Sequence, residues 1–454
     1  MNWMLSSSVF LFFHLSACQV PRAAVESGEW EPGGDTTNVL LLGSNSFLRP
    51  AANLTDENEL LFYSGNSFFN QGWVEAPAST ESRDGLGPLF NARTCSGCHF
   101  RDGKAEPPEA GEGPFVGLLL RVSVPGEEGP VSDPVYGAQL QDQANPEVPV
   151  EVLPTVNWIA TDGLFADGES YELIHPEFEF SEWSYGAPAS DAMFSARIAP
   201  HMIGIGLLEA ISESRLEEMA DPDDSDGDGI SGRIQRVGEL ELPGRFGWKG
   251  EASSVSGQVA DAFSNDMGLT SSLLPHDDCT EAQVACLDAV DGGDPEVDDS
   301  IFERVVLYSR AIAVPARRNA EDGDVRRGKT LFHEVGCASC HVPSHTTGEA
   351  AIEELEDQLI WPYTDLLLHD MGPGLADGRP VGLASGSEWK TPPLWGLGLV
   401  EDVGGHTRFL HDGRARSLEE AVLWHGGEAQ NAKESYENLP RDHRSLLLAF
   451  LEDL

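Results

Sequence analysis

The stretch Cys95-Ser96-Gly97-Cys98-His99 has the pattern Cys-x-x-Cys-His, and the same pattern occurs again as Cys337-Ala338-Ser339-Cys340-His341. Cys-x-x-Cys-His is the attachment motif of c-type haem, in which two thiols bind the porphyrin covalently and the His ligates the iron. A zinc knuckle and a redox dithiol are the alternatives, but neither needs the His that follows each pair. Two such motifs among seven cysteines predict two covalently bound c-type haems, and each motif is expected in its own cytochrome c-like domain.

The chain is strongly acidic. Its 454 residues include 28 Lys and Arg and 76 Asp and Glu, which gives a net charge of −48. The sequence offers no basic footprint for nucleic acid, so we expect no nucleic-acid partner. Charge of this size keeps a protein soluble and repels anionic surfaces. A saline habitat and a basic electron-donor protein would each account for it.

The first residues predict export from the cytoplasm. Residues 1–17 contain an apolar run that is too short to span a bilayer, although no Lys or Arg precedes it. Leu15-Ser16-Ala17-Cys18 resembles a bacterial lipobox, which implies cleavage before Cys18 and lipidation of its thiol. We therefore expect a lipid-anchored protein of the periplasm or cell envelope, with the outer membrane as the expected site. Ordinary cleavage with a free Cys18 is the alternative.

The rest of the chain predicts a mainly α fold with two haem domains. Residues 18–50 are polar and rich in Gly, Ser and Asn, which is typical of a tether. Residues 51–320 are assigned to the first haem domain, with a β-containing insertion at about 102–190 where short apolar runs favour strands. Residues 321–454 are assigned to the second cytochrome c-like domain, whose first helix Asp324 can cap.

Two cysteines are left once the haem motifs and Cys18 are assigned. These are Cys279 and Cys286. In an oxidising compartment they are expected to form a local disulfide that closes a small loop. Two free thiols are the alternative.

An acidic loop suggests a calcium site. Asp224, Asp226 and Asp228 alternate ahead of Gly229, as carboxylates do in calcium-binding loops. The twelfth position of the loop is Gln235, where an EF-hand has Glu. A calcium site and an acidic turn on an acidic protein therefore both stay open.

The segment after the second motif carries two further patterns. Phe409-Leu410-His411-Asp412-Gly413 resembles the Pro-Tyr-x-His-x-Gly motif of the bacterial di-haem cytochrome c peroxidase–MauG superfamily. Thr391-Pro392-Pro393-Leu394-Trp395 is similar to its Thr-Pro-x-Leu-Arg motif, with Trp395 in place of Arg. In that superfamily the sixth ligand of the second haem follows the motif His by fourteen residues, which is His425 here. The resemblance implies a haem held by His341 and His425 with His411 beside it, and Met371 is the alternative ligand.

Trp248, Gln258 and Asp266 lie in a segment that resembles the same superfamily. Its motif is Trp-Asp-Gly-Arg, then Gln, then Asn-Pro-x-Glu-Met-Gly; Trp248 and Gln258 keep the spacing of ten, and Asp266 replaces the Glu two residues early. The resemblance implies that Trp248 is an electron bridge between the haems and that Gln258 and Asp266 line a peroxide pocket. An acid there can take the first peroxide proton and return it to the leaving oxygen, with Glu209 as a reserve acid. The sequence offers no clear sixth ligand opposite His99.

Taken over roughly residues 55–454, the pattern resembles the di-haem oxidoreductases of that superfamily, also described as thiol oxidoreductase-like peroxidases. The resemblance implies that a small donor protein, a cytochrome or a cupredoxin, delivers electrons to the second haem. They would pass by way of Trp248 to the first haem, which would reduce peroxide or another substrate. Two other functions stay open: an electron-transfer cytochrome with two six-coordinate irons, and a MauG-like oxidase of a protein side chain.

Overall fold

The computed structural model describes residues 20–40, 43–80, 82–127 and 129–454. The predicted signal segment, residues 1–17, and the predicted lipidation site at Cys18 lie outside the described residues. In the described part of the chain, no helix is both long enough and apolar enough to cross a membrane.

Thirteen α-helices occur in the described residues, and most are short. Seven of them begin at a Ser, Thr or Asp whose side chain accepts a hydrogen bond from a backbone N–H of the first turn, which satisfies a donor that the helix leaves free. The helices are α1 (Asp56–Asn70), α2 (Cys95–Cys98), α3 (Ile205–Glu209), α4 (Glu213–Met219), α5 (Val255–Asp261), α6 (Val284–Leu287), α7 (Asp299–Arg310), α8 (Gly323–Glu334), α9 (Gly372–Leu375), α10 (Val400–Gly404), α11 (Leu418–Trp424), α12 (Gln430–Glu437) and α13 (Arg441–Leu451).

The prediction of a mainly α fold is wrong, because helices make up 30% and strands 18% of the structure. The strands form two three-stranded antiparallel sheets, in the orders β4-β3-β8 and β2-β6-β7, and four two-stranded pairs, β1-β5, β9-β10, β11-β12 and β13-β14. Strands of two or three residues show no alternating pattern, so the sequence does not reveal them. The strands are β1 (Leu89–Phe90), β2 (Gly111–Glu112), β3 (Leu118–Ser123), β4 (Gln139–Leu140), β5 (Gln143–Ala144), β6 (Leu153–Leu164), β7 (Ser170–Ser181), β8 (Met193–Ile198), β9 (Arg236–Val237), β10 (Leu242–Pro243), β11 (His345–Thr346), β12 (Leu359–Ile360), β13 (Leu368–Asp370) and β14 (Glu388–Lys390).

Helices α1 and α7 pack against each other beside the first motif. Phe62 and Phe69 of α1 meet Tyr308 of α7, with ring centroids 4.7 and 5.0 Å apart. The Phe69 ring also lies 6.3 Å from the ring of His99. The first motif is therefore supported by a buried aromatic wall.

Helices α8 and α13 enclose the second motif in the same way. Phe332 of α8 packs edge-on against Phe450 of α13, with centroids 5.2 Å apart. The cap of α8 differs from the prediction: Asp322, rather than Asp324, accepts hydrogen bonds from the N–H groups of Asp324 and Val325. The carboxylate of Asp324 instead lies 2.6 Å from the guanidinium of Arg327 on the surface of the helix.

The segment predicted as a tether packs against the second motif's domain where the structure describes it. Glu29 is fully buried and bonds to the side chains of Arg317, Lys329 and Tyr363. Residues 20–40 therefore differ from a free linker, because a buried carboxylate with three partners fixes the chain.

Strands β6 and β7 form a long two-stranded arm that reaches the second motif's domain. Each strand has twelve residues, and Phe165 at the tip joins the hydrophobic core that contains α8 and α13. The buried Arg444 of α13 contacts Asp167 at 3.1 Å and Glu169 at 2.7 Å, and its guanidinium lies 3.8 Å from the Phe165 ring centroid. The arm therefore connects the two parts of the molecule.

Replacing Arg444 with Leu is expected to lower the free energy of unfolding by about 2–4 kcal/mol, because a buried guanidinium loses its ionic and aromatic partners together. Arg441→Leu is the matched control on the same helix. Its exposed guanidinium lies 3.4 Å from Glu169, so it should cost less than about 1 kcal/mol. Denaturant unfolding followed by haem absorbance measures both. Equal losses in the two variants would show that the arm adds no stability.

The predicted disulfide between Cys279 and Cys286 is confirmed. Cys286 is buried on α6 and clusters with Leu89 and Val148, so the closed loop packs beside strand β1. The disulfide therefore closes a short loop next to the strand that leads into the first motif.

Candidate haem sites and the residues between them

The first motif forms the single turn of helix α2. Thr94 caps this turn by accepting a hydrogen bond from the Gly97 N–H, and the His99 N–H donates to the Cys95 carbonyl. Both motif cysteines are free of disulfides. The Nδ1 of His99 lies 2.7 Å from the carbonyl oxygen of Pro200. A carbonyl oxygen only accepts, so Nδ1 carries the proton and Nε2 presents a lone pair for a metal.

The second motif repeats this geometry on a 3₁₀ turn. The His341 N–H donates to the Cys337 carbonyl, and the Nδ1 of His341 lies 2.9 Å from the carbonyl oxygen of Tyr363. Cys337 and Cys340 are also free of disulfides. Two unrelated backbone segments thus orient the two imidazoles in the same way.

Burial sets the charge of these groups. It lowers the pKa of His99 and of His341 to about 4, so both imidazoles are neutral at pH 7. It raises the pKa of Cys95 and of Cys337 to about 12. A redox dithiol needs a depressed thiol pKa, and neither motif has one.

The interior also offers partners for the haem carboxylates. Haem carries two propionates, which need cationic or hydrogen-bonding partners when buried. Among the described residues, Nε of the buried Arg379 and Nη1 of Arg408 have no hydrogen-bond partner. Lys390 is also buried, and burial lowers its pKa to about 8. Buried and half-buried cations with unused N–H donors, in a chain of charge −48, fit an anionic prosthetic group.

His425 lies beside the second motif, where the superfamily spacing predicts a ligand. It is the residue that ends α11, and its Nδ1 lies 2.7 Å from the carbonyl oxygen of Ala421, which leaves Nε2 available as in the two motif histidines. Burial lowers the pKa of His341, and the hydrogen bond to Tyr363 raises it. The third influence is the charge of His425, which lowers this pKa. The two imidazoles are therefore neighbours, although His425 as the iron ligand stays a prediction.

Met371, the alternative ligand, is close to the same point. The Met371 carbonyl oxygen packs against Gly426, the residue that follows His425. A Cβ built on Gly426 would lie only 3.1 Å from this oxygen. The structure thus brings both candidate ligands to one region and does not show which of them would bind the iron.

Trp248 and His411 are linked through the backbone of Ile198. The indole N–H of Trp248 donates to the carbonyl of Ile198 at 2.8 Å, and the N–H of Ile198 donates to the carbonyl of His411 at 2.6 Å. Their ring centroids are 6.4 Å apart. On its other side His411 stacks on Trp389, with centroids 3.8 Å apart and ring planes at 15°. The sequence pattern did not single out Trp389.

Cations surround this aromatic stack. Lys104 lies over the ring of Trp248 at 4.8 Å, and burial lowers its pKa to about 7. Arg197 and Lys249 each lie 4.6 Å from the ring of Trp389. A cation close to an indole disfavours its oxidation, so Trp248 is easier to oxidise than Trp389 when Lys104 is neutral.

Asp266 lies near the first motif: its carbonyl oxygen accepts from the N–H groups of Asn91 and Ala92. Its role as the acid of a peroxide pocket stays a prediction. Asp266 is the last residue of a π-helical turn, Ala262–Asp266, that follows α5. Burial raises the pKa of Cys98 most, and the negative charge of Asp266 raises it further. Burial raises the pKa of Asp266 to about 6, against a hydrogen bond from Gln139. The carboxyl can therefore gain and lose a proton near neutral pH.

Gln258 and Glu209 have different surroundings. Gln258 is a half-buried residue of α5, the helix that leads to Asp266. Both carboxylate oxygens of Glu209 bond to Arg310, and one also accepts the Val255 N–H at the start of α5. These bonds give Glu209 a structural role, because a carboxylate with both oxygens engaged is poorly placed to exchange protons.

The sequence profile of a family described as "Di-haem oxidoreductase, putative peroxidase" matches residues 28–117 and 185–454. This match covers most of the chain, including both haem motifs, His425 and Trp248. The chain belongs to this di-haem oxidoreductase family. No curated protein sequence matches it. Residues 118–184, which contain β3 to β7, lie outside the match.

In this di-haem oxidoreductase an unpredicted cluster lies beside the second motif. The Nε2 of His369 lies 2.9 Å from Asp365, and its Nδ1 lies 2.8 Å from Glu428 and 3.8 Å from the Cys340 sulfur. Burial opposes a charge on His369, but its hydrogen bonds to Asp365, Cys340 and Glu428 raise its pKa to about 12. His369 thus joins Asp365 and Glu428 beside the second motif, and Glu428 lies in the turn that follows His425. Such a cluster has no local sequence signature.

The acidic loop places its carboxylates together. One oxygen from each of Asp224, Asp226 and Asp228 lies within 4.8 Å of the others. Ser231, just beyond the loop, bonds to Glu428 through its N–H and its hydroxyl. The loop is therefore adjacent to the second haem site.

Proposed function

We propose that this di-haem oxidoreductase is an exported peroxidase that takes electrons at the second haem site and reduces hydrogen peroxide at the first. The asymmetry of the two sites is the observation that supports it most. His425 lies beside His341, whereas the first motif has a titratable carboxyl, Asp266, nearby. One closed site suits electron transfer, and one open site with an acid suits peroxide chemistry.

The chain's own residues would hold and orient both groups. Cys95, Cys98 and His99 would hold the first haem, and the matching residues of the second motif with His425 would hold the second. When bound, the haems supply one-electron storage and an open coordination position. The carbonyls of Pro200 and Tyr363 fix the proximal imidazoles.

Asp266 would move the protons. Gln139 donates to its Oδ1 at 2.8 Å, which leaves Oδ2 for a substrate proton. Oδ2 can take a proton from the attacking oxygen of the peroxide and return it to the leaving oxygen, so that peroxide, two electrons and two protons give two molecules of water. Gln258 would hold the peroxide by its amide, as the superfamily resemblance implies.

Trp248 would connect the two sites, with His411 beside it. The electrons would come from a small cytochrome or cupredoxin with a basic face, since a chain of charge −48 attracts such a partner electrostatically. Anchorage through a lipidated Cys18 would keep the enzyme in the periplasm at a membrane surface.

Steady-state peroxide consumption with a reduced small cytochrome tests this function. We expect catalytic turnover with two electrons used for each peroxide, and slower turnover at high salt because screening weakens donor encounter. A protein that accepts electrons but leaves peroxide intact would support the electron-transfer cytochrome instead.

Replacing His425 with Ala is expected to convert the second haem from low spin to high spin in the oxidised protein, because a strong axial ligand is lost. Absorption and electron paramagnetic resonance spectra measure this change. His333→Ala, an exposed His of α8, is the control and should keep the low-spin signal. A low-spin signal that survives in His425→Ala and is lost in Met371→Leu would assign Met371 as the ligand.

We also propose that Asp224, Asp226 and Asp228 bind Ca²⁺, because their oxygens lie close enough to share one ion. Adding Ca²⁺ to chelator-treated protein at 100 times its dissociation constant should stabilise the fold by about 2.7 kcal/mol. Asp226→Asn should remove this effect, and Asp223→Asn, an exposed neighbour, should keep it. Thermal unfolding that is the same with Ca²⁺ and with chelator would identify the loop as an acidic turn.

A further inference from the structure

The segment 118–184, which lies outside the family match, enters the first haem site. Strands β3 and β4 belong to this segment and pair in antiparallel register, with Arg121 opposite Gln139. The side chain of Gln139 is fully buried between the sheet and the π-helical turn that carries Asp266. A segment outside the family pattern therefore contacts the acid of the site.

Hydrogen bonds fix the Gln139 side chain at both ends. Its Nε2 donates to Asp266 Oδ1 and to Asn91 Oδ1, each at 2.8 Å, and lies 3.1 Å from the Asn265 carbonyl oxygen. Its Oε1 accepts from the Arg121 guanidinium at 3.1 Å. A primary amide has two N–H donors and one carbonyl, so its hydrogen-bonding capacity is used. Neither rotation nor a flip of this amide would preserve these bonds.

We propose that Gln139 is a positioning residue through which segment 118–184 holds the Asp266 carboxyl beside the first haem motif. The inference rests on the proposed function, since it takes Asp266 as the acid of the reaction. Its amide engages Oδ1, leaves Oδ2 free, and favours the ionised carboxylate by donating to it. Residues outside the family match would thus set when and where this acid exchanges its proton.

The charged and titratable groups around Asp266 come from three other elements. Arg121 of β3 favours its ionised form, and Asp261 of α5 disfavours it. Cys95 and Cys98 of α2 face it as well, but they lose their ionisation once they are bound as thioethers. Gln139 links Asp266 to Arg121, so removing the amide weakens both favourable influences and should raise the pKa of Asp266.

The midpoint potential of the first haem, measured against pH, tests the inference without enzyme turnover. As pH rises through the pKa of Asp266, a new negative charge near the haem should lower the potential, with an inflection near pH 6 in the wild type. Gln139→Leu should move this inflection upwards by about one pH unit. Arg121→Gln should move it in the same direction and covers the case in which Gln139→Leu fails to fold. Asp266→Asn should remove the inflection.

Gln141→Leu is the matched control. Gln141 is a buried amide from the same segment that also donates to the Asn265 carbonyl, at 3.1 Å, but not to Asp266. In Gln141→Leu the inflection of the midpoint potential should stay at the wild-type pH. An unmoved inflection in both Gln139→Leu and Arg121→Gln, or one that persists in Asp266→Asn, would overturn the inference. Peroxide turnover is measured separately: a moved inflection without any turnover would refute the proposed function and leave the positioning role standing.

Discussion

Replacing Asp266 with Asn is expected to lower peroxide turnover by roughly 10²-fold or more, the usual effect of losing a general acid–base group. The amide keeps the size of the side chain and its contact with Gln139, but it cannot carry a proton from one oxygen to the other. The loss should lie in kcat, because the residue acts on a proton that moves during the reaction rather than on the affinity for peroxide. Stopped-flow peroxide reduction with pre-reduced protein measures it.

The pH profile gives the sign of the effect. Burial raises the pKa of Asp266 to about 6, so the wild-type rate should fall as pH drops through this value and the carboxylate becomes protonated. Asp261→Asn, one helical turn earlier, is the control: it should retain most of the activity and keep an acid limb, shifted to lower pH because the charge of Asp261 raises the pKa of Asp266. An Asp266→Asn variant with wild-type kcat and pH profile would remove this residue from the mechanism.

Replacing Trp248 with Phe is expected to slow electron exchange between the two haem sites by roughly tenfold or more, equivalent to at least about 1.4 kcal/mol of activation free energy. Phe keeps an aromatic ring but loses the indole N–H that donates to the Ile198 carbonyl, and with it the fixed contact to His411. Phe is also harder to oxidise than Trp. Flash photolysis of the half-reduced protein measures the exchange rate directly.

Trp389→Phe is the matched control for this variant. Both indoles flank His411, but Arg197 and Lys249 each lie 4.6 Å from the Trp389 ring, and their charges disfavour its oxidation. The control should therefore change the rate of electron exchange only slightly. A Trp248→Phe variant with the wild-type rate would exclude Trp248 as the bridge. A larger loss of rate in Trp389→Phe would identify Trp389, on the other face of His411, as the bridge instead.

The sequence predicted those parts of the sites that depend on short spacing. Each haem motif places its two sulfurs and its imidazole within one turn, and the structure keeps this arrangement in both. The disulfide between Cys279 and Cys286 was predictable for the same reason, since few residues separate its partners. His425 was placed by a family spacing, and the structure brings it close to His341.

The remaining features depend on contacts between distant segments. Trp389, Gln139 and His369 gain their roles from partners that the fold brings together, and no local pattern marks them. The fold class was misjudged because many strands have two or three residues, and because the outer part of β6 is exposed on both faces and shows no alternation. The buried Glu29 was missed because its cationic partners lie about 300 residues further along the chain.

The central claim is that the second iron is closed by two protein ligands and the first is open. Electron paramagnetic resonance of the fully oxidised and half-reduced protein, with and without cyanide, tests this claim directly. We expect one haem that stays low spin throughout and one that binds cyanide and changes its signal. Two low-spin haems that ignore cyanide in both redox states would contradict it.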